Sequence, residues 1–143
     1  MKIALSLLLI LCTSALASDE GAYFGLKGKV TVKTADMLMD GGSTFVTLQD
    51  EDGSLLSIRY GSDLFTKENY AGWISIRLPD IKGSYLLQRG GPEMQTLVAL
   101  LREASNSTFG TDDFGKRDMR RSVEAMTRSL TRLGKQGRKS KTK

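Results

Sequence analysis

The chain has 143 residues, no histidine, one cysteine and a formal net charge of +5. Without histidine it cannot build a Ser-His-Asp or Cys-His catalytic group, or a zinc site made from His and Cys. An enzyme of this composition would have to work with carboxylates, lysine, tyrosine or a bound cofactor. The composition therefore favours a non-enzymatic protein, and we predict no cofactor.

The first 17 residues have the pattern of a secretory signal peptide. Lys2 supplies the positive charge, residues 3–12 (IALSLLLILC) form an almost unbroken apolar run, and residues 15–17 (ALA) are a small-x-small cleavage site. The run is too short to span a bilayer comfortably. We therefore expect an exported protein, periplasmic or secreted, with no transmembrane segment after cleavage. Cys12 is removed with the signal peptide, so the mature chain has no cysteine and cannot form a disulfide. Its stability must therefore come from a hydrophobic core.

Residues 44–60 (TFVTLQDEDGSLLSIRY) predict a β-hairpin whose register follows from its side-chain pattern. A two-residue loop leaves neither face apolar. A three-residue loop, residues 51–53, makes one face apolar because it pairs four aliphatic residues across the two strands. Gly53 then occupies the position that needs a positive φ. The aliphatic pairs are Leu48 with Leu56 and Val46 with Ile58.

Alternation of apolar and polar residues predicts further strands on both sides of this hairpin. In residues 25–39, lysines alternate with Val30 and Val32, which is the pattern of a half-buried strand. Two later segments, residues 73–78 (WISIRL) and 84–89 (SYLLQR), have the same alternation.

A helix is predicted to follow the strands. It begins at Pro92, which suits the first helical position, and its apolar residues recur at helical spacing through residues 92–104. This order of elements predicts an α+β fold over residues 18–109. In that fold the helix covers one face of a small antiparallel sheet, which is either a meander or a partly closed barrel.

The segment LKGKVTV followed by residues 44–60 resembles the first three strands of an OB-fold domain. In that family an F-x-x-L-x-D-x-x-G run, which begins here at Phe45, often forms the second and third strands. The resemblance implies a partly closed barrel with a ligand face around Phe45, Thr47 and Arg59, although the fold alone does not name the ligand. A ligand-binding module that uses the sheet face near Trp73 is therefore an alternative function.

Residues 50–53 (DEDG) are the densest acidic cluster. One interpretation is a calcium loop, but an EF-hand needs an acid at the position of Leu48, which the hairpin register places in the core. The other is a carboxylate-based hydrolase, for which no second carboxylate can be placed against the cluster. We therefore predict neither a metal site nor a catalytic residue, and the hydrolase is the least favoured alternative.

The sign of the charge changes along the chain. Residues 18–115 carry nine basic and fourteen acidic residues, a net charge of −5, whereas the residues from Lys116 onwards carry eleven basic and two acidic residues, a net charge of +9. Residues 105–108 (SNST) predict a polar linker between the two parts. They also make Asn106 an N-glycosylation acceptor if the secretory pathway is eukaryotic.

The basic tail also carries an apolar stripe. Five residues recur at spacings of four and three, which predicts an amphipathic helix within residues 110–133. Gly134 is expected to end this helix and to leave residues 134–143 as a disordered basic tail. The stripe consists of Met119, Val123, Met126, Leu130 and Leu133.

Four interpretations of this helix are open. The helix could dock on the acidic body of its own chain, residues 18–115, or associate with another copy or a partner protein. It could also bind an anionic membrane surface. The fourth interpretation is nucleic-acid binding, which export from the cell disfavours. We predict an interaction or structural module that uses this helix as its contact surface. The predicted partner-binding residues are Arg117, Arg120, Arg121, Arg128 and Arg132 for charge, and Met119, Val123, Met126 and Leu130 for packing.

Overall fold

The computed structural model describes residues 19–37, 43–60, 70–77, 82–88 and 92–140. For the fourth and fifth strands and for the end of the last helix, the structure describes the backbone and not the side chains. The predicted signal peptide lies outside the described residues, so export stays a prediction.

The chain forms two layers, a five-stranded antiparallel sheet and a pair of long helices. The strands follow one another across the sheet in chain order, as a meander. This confirms the predicted α+β fold. Among the described strands the first and fifth do not pair with each other, so the sheet is open and the OB-like barrel is not formed. The elements are α1 (Asp19–Tyr23), β1 (Thr31–Met37), β2 (Thr44–Gln49), β3 (Leu55–Tyr60), β4 (Tyr70–Arg77), β5 (Lys82–Gln88), α2 (Pro92–Thr108), a 3-10 turn (Phe114–Lys116) and α3 (Arg117–Ser140).

The β2–β3 hairpin has the predicted register. The N–H of Asp50 donates to the carbonyl of Ser54 at 3.1 Å, which closes a three-residue loop. Gly53 has a φ of 83°, the left-handed conformation that this loop requires. The apolar positions face the core and are buried, and the alternate positions are half-buried. The aliphatic pairs are Leu48 with Leu56 and Val46 with Ile58.

Asp50 joins the hairpin loop to the segment that precedes β1. Its side chain is buried, and its Oδ1 accepts the backbone N–H groups of Asp52 at 3.0 Å and Ser54 at 2.8 Å. Its Oδ2 accepts the backbone N–H of Lys27 at 2.8 Å. Because these three donors satisfy a carboxylate that is nearly removed from water, this acid of the DEDG cluster has a structural role.

β1 begins at Thr31, later than the sequence pattern suggests. Gly25 and Gly28 have φ of 76° and 71°, which turns the chain before the strand starts. The backbone N–H of Val32 donates to the hydroxyl of Thr108 at 2.7 Å. The last turn of α2 therefore covers part of the edge of the sheet, where unpaired backbone groups would otherwise be open to another chain.

α2 begins at Pro92, as predicted, but it continues to Thr108. The prediction of a linker at residues 105–108 is therefore wrong. The N–H of Phe109 donates to the carbonyl of Ser105 at 2.9 Å, and the Phe109 ring packs against the core. The first of these is a local helical hydrogen bond, and the second is a tertiary contact that outweighs the weak helix propensity of Asn, Ser and Thr.

α3 runs to Ser140, so the predicted end of the helix at Gly134 is wrong. Glycine in a helix costs only about 1 kcal/mol relative to alanine. The buried side chains of Leu130 and Leu133 lie directly before Gly134 and hold the helix against the core. Residues 134–140, predicted to be disordered, are helical in the structure, and residues 141–143 lie outside the described part.

The apolar stripe of α3 forms part of the core. Val123, Met126, Leu130 and Leu133 are at most 8% exposed, and Met119 packs at the margin. α3 contacts α2 and lies against β1 and β2. The sheet is therefore covered by two helices, where the sequence predicted one. Of the four interpretations of the tail, the structure supports docking on its own body.

We predict that Asp50→Asn lowers the free energy of unfolding by about 2 kcal/mol, because an amide group would oppose one of the backbone donors that the carboxylate now accepts. Urea denaturation followed by circular dichroism measures this change. Asp52→Asn is the matched control, since Asp52 is exposed at the loop tip and should change stability by less than about 0.5 kcal/mol. Equal losses in the two variants would contradict the structural role of Asp50.

Met126→Ala should lower the free energy of unfolding by about 2–5 kcal/mol, because it leaves a cavity in a closed core. Arg128→Ala, two residues away on the exposed side, should stay within about 0.5 kcal/mol of the parent. Thermal and urea denaturation of both variants provides the measurement. If Met126→Ala were as stable as the parent, the stripe would not be part of the core.

Candidate functional site

The structure separates the predicted partner-binding residues into two groups. The packing group, Met119, Val123, Met126 and Leu130, already contacts the sheet and α2 of the same chain. Val123, Met126 and Leu130 are buried and Met119 is half-buried at the margin of the core, and contact of these side chains with a partner stays a prediction. In this arrangement the apolar stripe packs within its own chain.

The charged group lies on the opposite side of α3. A helix turns by about 100° per residue, so the arginines and the apolar stripe point in opposite directions. Arg120 is half-buried at the margin, and the other basic residues of α3 whose side chains are described are exposed. We call the exposed set the basic face. It consists of Arg117, Arg121, Arg128, Arg132 and Lys135.

Two long ion pairs neutralise part of this region. Arg120 Nε lies 3.9 Å from Glu124 Oε1, and Arg121 Nη1 lies 3.9 Å from Asp118 Oδ1. Such exposed pairs contribute little and are screened by salt. Within the described part of the chain the remaining members of the basic face make no ion pair. The exposed side of α3 is therefore strongly positive.

Two half-open pockets lie between α2 and α3, and we call them together the interhelical groove. The first, its apolar lobe, has a volume of about 220 Å³, and the second, its polar lobe, has a volume of about 380 Å³. Arg102 of α2 lines both lobes, while Lys135 lines the first and Arg128 the second. Two members of the basic face therefore also form the rim of a groove.

Gly134 makes room for the apolar lobe. It is buried, yet a Cβ added at this position would meet no atom within 4 Å apart from its chain neighbours and the nearby backbone of its own helix. Interpretation of the sequence missed this role because a glycine near the end of an amphipathic pattern resembles a helix stop. The available signal was its position four residues after Leu130, which places it on the same side of the helix as the stripe.

The outer face of the sheet, turned away from the helices, is the second candidate surface. The Arg59 guanidinium lies over the Phe45 ring, 5.1 Å from its centroid, and the Thr47 and Ser57 hydroxyls are 3.0 Å apart. The structure thus brings together the residues that the OB-like resemblance implied. The strand register also aligns a hydroxyl residue from every strand in one row. The row is Thr34, Thr47, Ser57, Ser75 and Ser84.

Trp73 was predicted to lie near a ligand face. The register pairs it with Arg59, which places it in the row that contains Phe45. Its side chain and that of Tyr85 lie outside those that the structure describes. A ligand site at this position therefore stays a hypothesis.

Metal sites and membrane-spanning helices are two further features that could indicate a function. No cluster of side chains suited to a metal ion occurs among the described residues. None of the described helices is long and apolar enough to cross a membrane. Comparisons of the chain with protein-family models, with curated proteins and with solved structures found no match. The candidate surfaces therefore have to be judged on their own chemistry.

Gly134→Ala should raise the free energy of unfolding by about 0.5–1 kcal/mol, because alanine loses less entropy in a helix and its methyl group enters open space. Gly53→Ala is the contrasting variant. Gly53 needs a positive φ, so this change should destabilise by about 1–2 kcal/mol. Urea denaturation of both variants tests the pair. A loss of stability in Gly134→Ala would mean that the space above Gly134 is closed.

Proposed function

We propose that the protein is an exported, non-enzymatic interaction protein whose basic face binds the anionic surface of a membrane. One observation carries the proposal. α3 buries its apolar stripe in its own core and turns five cationic side chains outward. The chemistry that α3 offers to the outside is therefore positive charge.

Burial of the stripe also determines the mode of binding. A typical interfacial helix inserts its apolar side into the lipid, but here that side is occupied. Attraction between basic side chains and anionic lipid headgroups needs no insertion, and it acts within about one Debye length of the surface. We therefore propose peripheral, salt-sensitive binding.

Two other functions have support from particular observations. An acidic protein surface would complement the same cations, and the vesicle experiment below distinguishes it from a membrane. A ligand-binding module that uses the outer sheet face is favoured by the Arg59–Phe45 contact. That function would be insensitive to changes on α3.

We predict that the protein co-sediments with vesicles of equal parts phosphatidylglycerol and phosphatidylcholine, and not with phosphatidylcholine alone. Arg128→Glu combined with Arg132→Glu should weaken this binding at least tenfold, since each basic residue near an anionic membrane adds to the affinity. Raising the salt concentration should weaken it as well.

Lys27→Glu combined with Lys29→Glu is the matched control. It makes the same change in net charge at two exposed lysines before β1, and it should keep most of the binding. Equal losses in the two double variants would show that only net charge matters. Absence of binding to anionic vesicles would refute the membrane proposal and leave an acidic protein as the candidate partner.

A further inference from the structure

The two lobes of the interhelical groove differ in chemistry. In the apolar lobe, Met94, Val98, Ala99 and Leu130 form much of the lining. The polar lobe is lined mainly by hydroxyl, amide and charged side chains. These include Ser105, Asn106, Thr127 and Arg128.

The two lobes lie next to each other along α2 and share Arg102 in their linings. The lining residues of α2 span from Met94 to Asn106. At a rise of 1.5 Å per residue this corresponds to a groove roughly 18 Å long. It is therefore an elongated site that is apolar at one end and polar at the other.

The charges around the groove are unequal. Arg102, Arg128 and Lys135 line it, and none of the three makes an ion pair within the described residues. The acid in the lining, Glu124, is paired with Arg120 at 3.9 Å. The guanidinium of Arg102, which lines both lobes, is therefore available to bind a negatively charged ligand.

We propose that the interhelical groove binds a single-chain anionic lipid. Its alkyl chain lies in the apolar lobe above Gly134, its acidic group lies at Arg102, and the rest of its headgroup extends into the polar lobe. The apolar lobe has enough space for part of one chain, because an apolar cavity of roughly 150 Å³ holds a benzene molecule. The inference goes beyond the proposed function and does not depend on it, since a dissolved lipid can enter this groove without a membrane.

The test is calorimetric titration of the purified protein with three probes, each below its micelle concentration. Dodecyl phosphate has the chain and the charge, dodecyl maltoside has the chain alone, and butyl phosphate has the charge with a short chain. We expect dodecyl phosphate to bind with one-to-one stoichiometry and at least tenfold more tightly than either of the others.

Variants locate the site. Gly134→Leu fills the apolar lobe, and Arg102→Gln removes the charge at the junction. Each should weaken dodecyl phosphate binding at least tenfold. Lys29→Gln removes the same charge at an exposed position outside the groove and outside the basic face, and it should change the affinity less than twofold. Because leucine is a better helix former than glycine, Gly134→Leu should fold, and Ala99→Leu fills the same lobe from the other helix.

Several results would overturn the inference. Equal binding of dodecyl maltoside would mean general adhesion of detergent, and equal binding of butyl phosphate would mean an anion held at the rim. Unchanged affinity in both Gly134→Leu and Ala99→Leu would place the ligand elsewhere, and absence of saturable binding would remove the site.

The vesicle experiment and the calorimetric titration test the two proposals independently. If Gly134→Leu loses dodecyl phosphate but still binds anionic vesicles, both proposals stand. If the parent protein binds vesicles and no probe, the proposed function stands without the groove. If it binds dodecyl phosphate and no vesicles, the groove stands without the proposed function.

Discussion

Burial of the α3 stripe against β1 and β2 is the interaction on which the rest of the structure depends. Strands β1 to β3 bury apolar side chains on one face of the sheet, and α2 shares the cover of that face with α3, which lies against β1 and β2. Met126 and Leu130, both fully buried, complete the cover from the far end of the chain. The segment that the sequence marks as a separate basic tail is therefore an integral part of the domain.

The same packing determines where the charge lies. Because the stripe faces inward, the arginines of α3 face outward, and the acidic body carries a positive surface on one helix. The arrangement also creates the interhelical groove, whose rim shares Arg128 and Lys135 with the basic face. Core formation and the candidate binding surfaces are thus two results of one docking event.

Local features of this fold could be predicted from the sequence, and non-local ones could not. The hairpin register follows from alternation within 17 residues, and a register shift of one residue would expose every buried side chain. The stripe of α3 is equally visible, but periodicity does not say which surface it meets. Gly134 shows the limit most clearly: its spacing from Leu130 places it on the stripe side of the helix, but the space that gives it a role is left by α2, which is distant from it in the sequence.

The position of α3 in the chain has a consequence for folding. The meander pairs neighbouring strands, so its contacts are local and can form early. Its apolar face, however, stays partly open until the last helix arrives. A chain that is broken or incomplete near Gly110 would present this face to other molecules, and open sheets with exposed apolar side chains tend to aggregate. Docking of the C-terminal helix therefore protects the folded chain against aggregation.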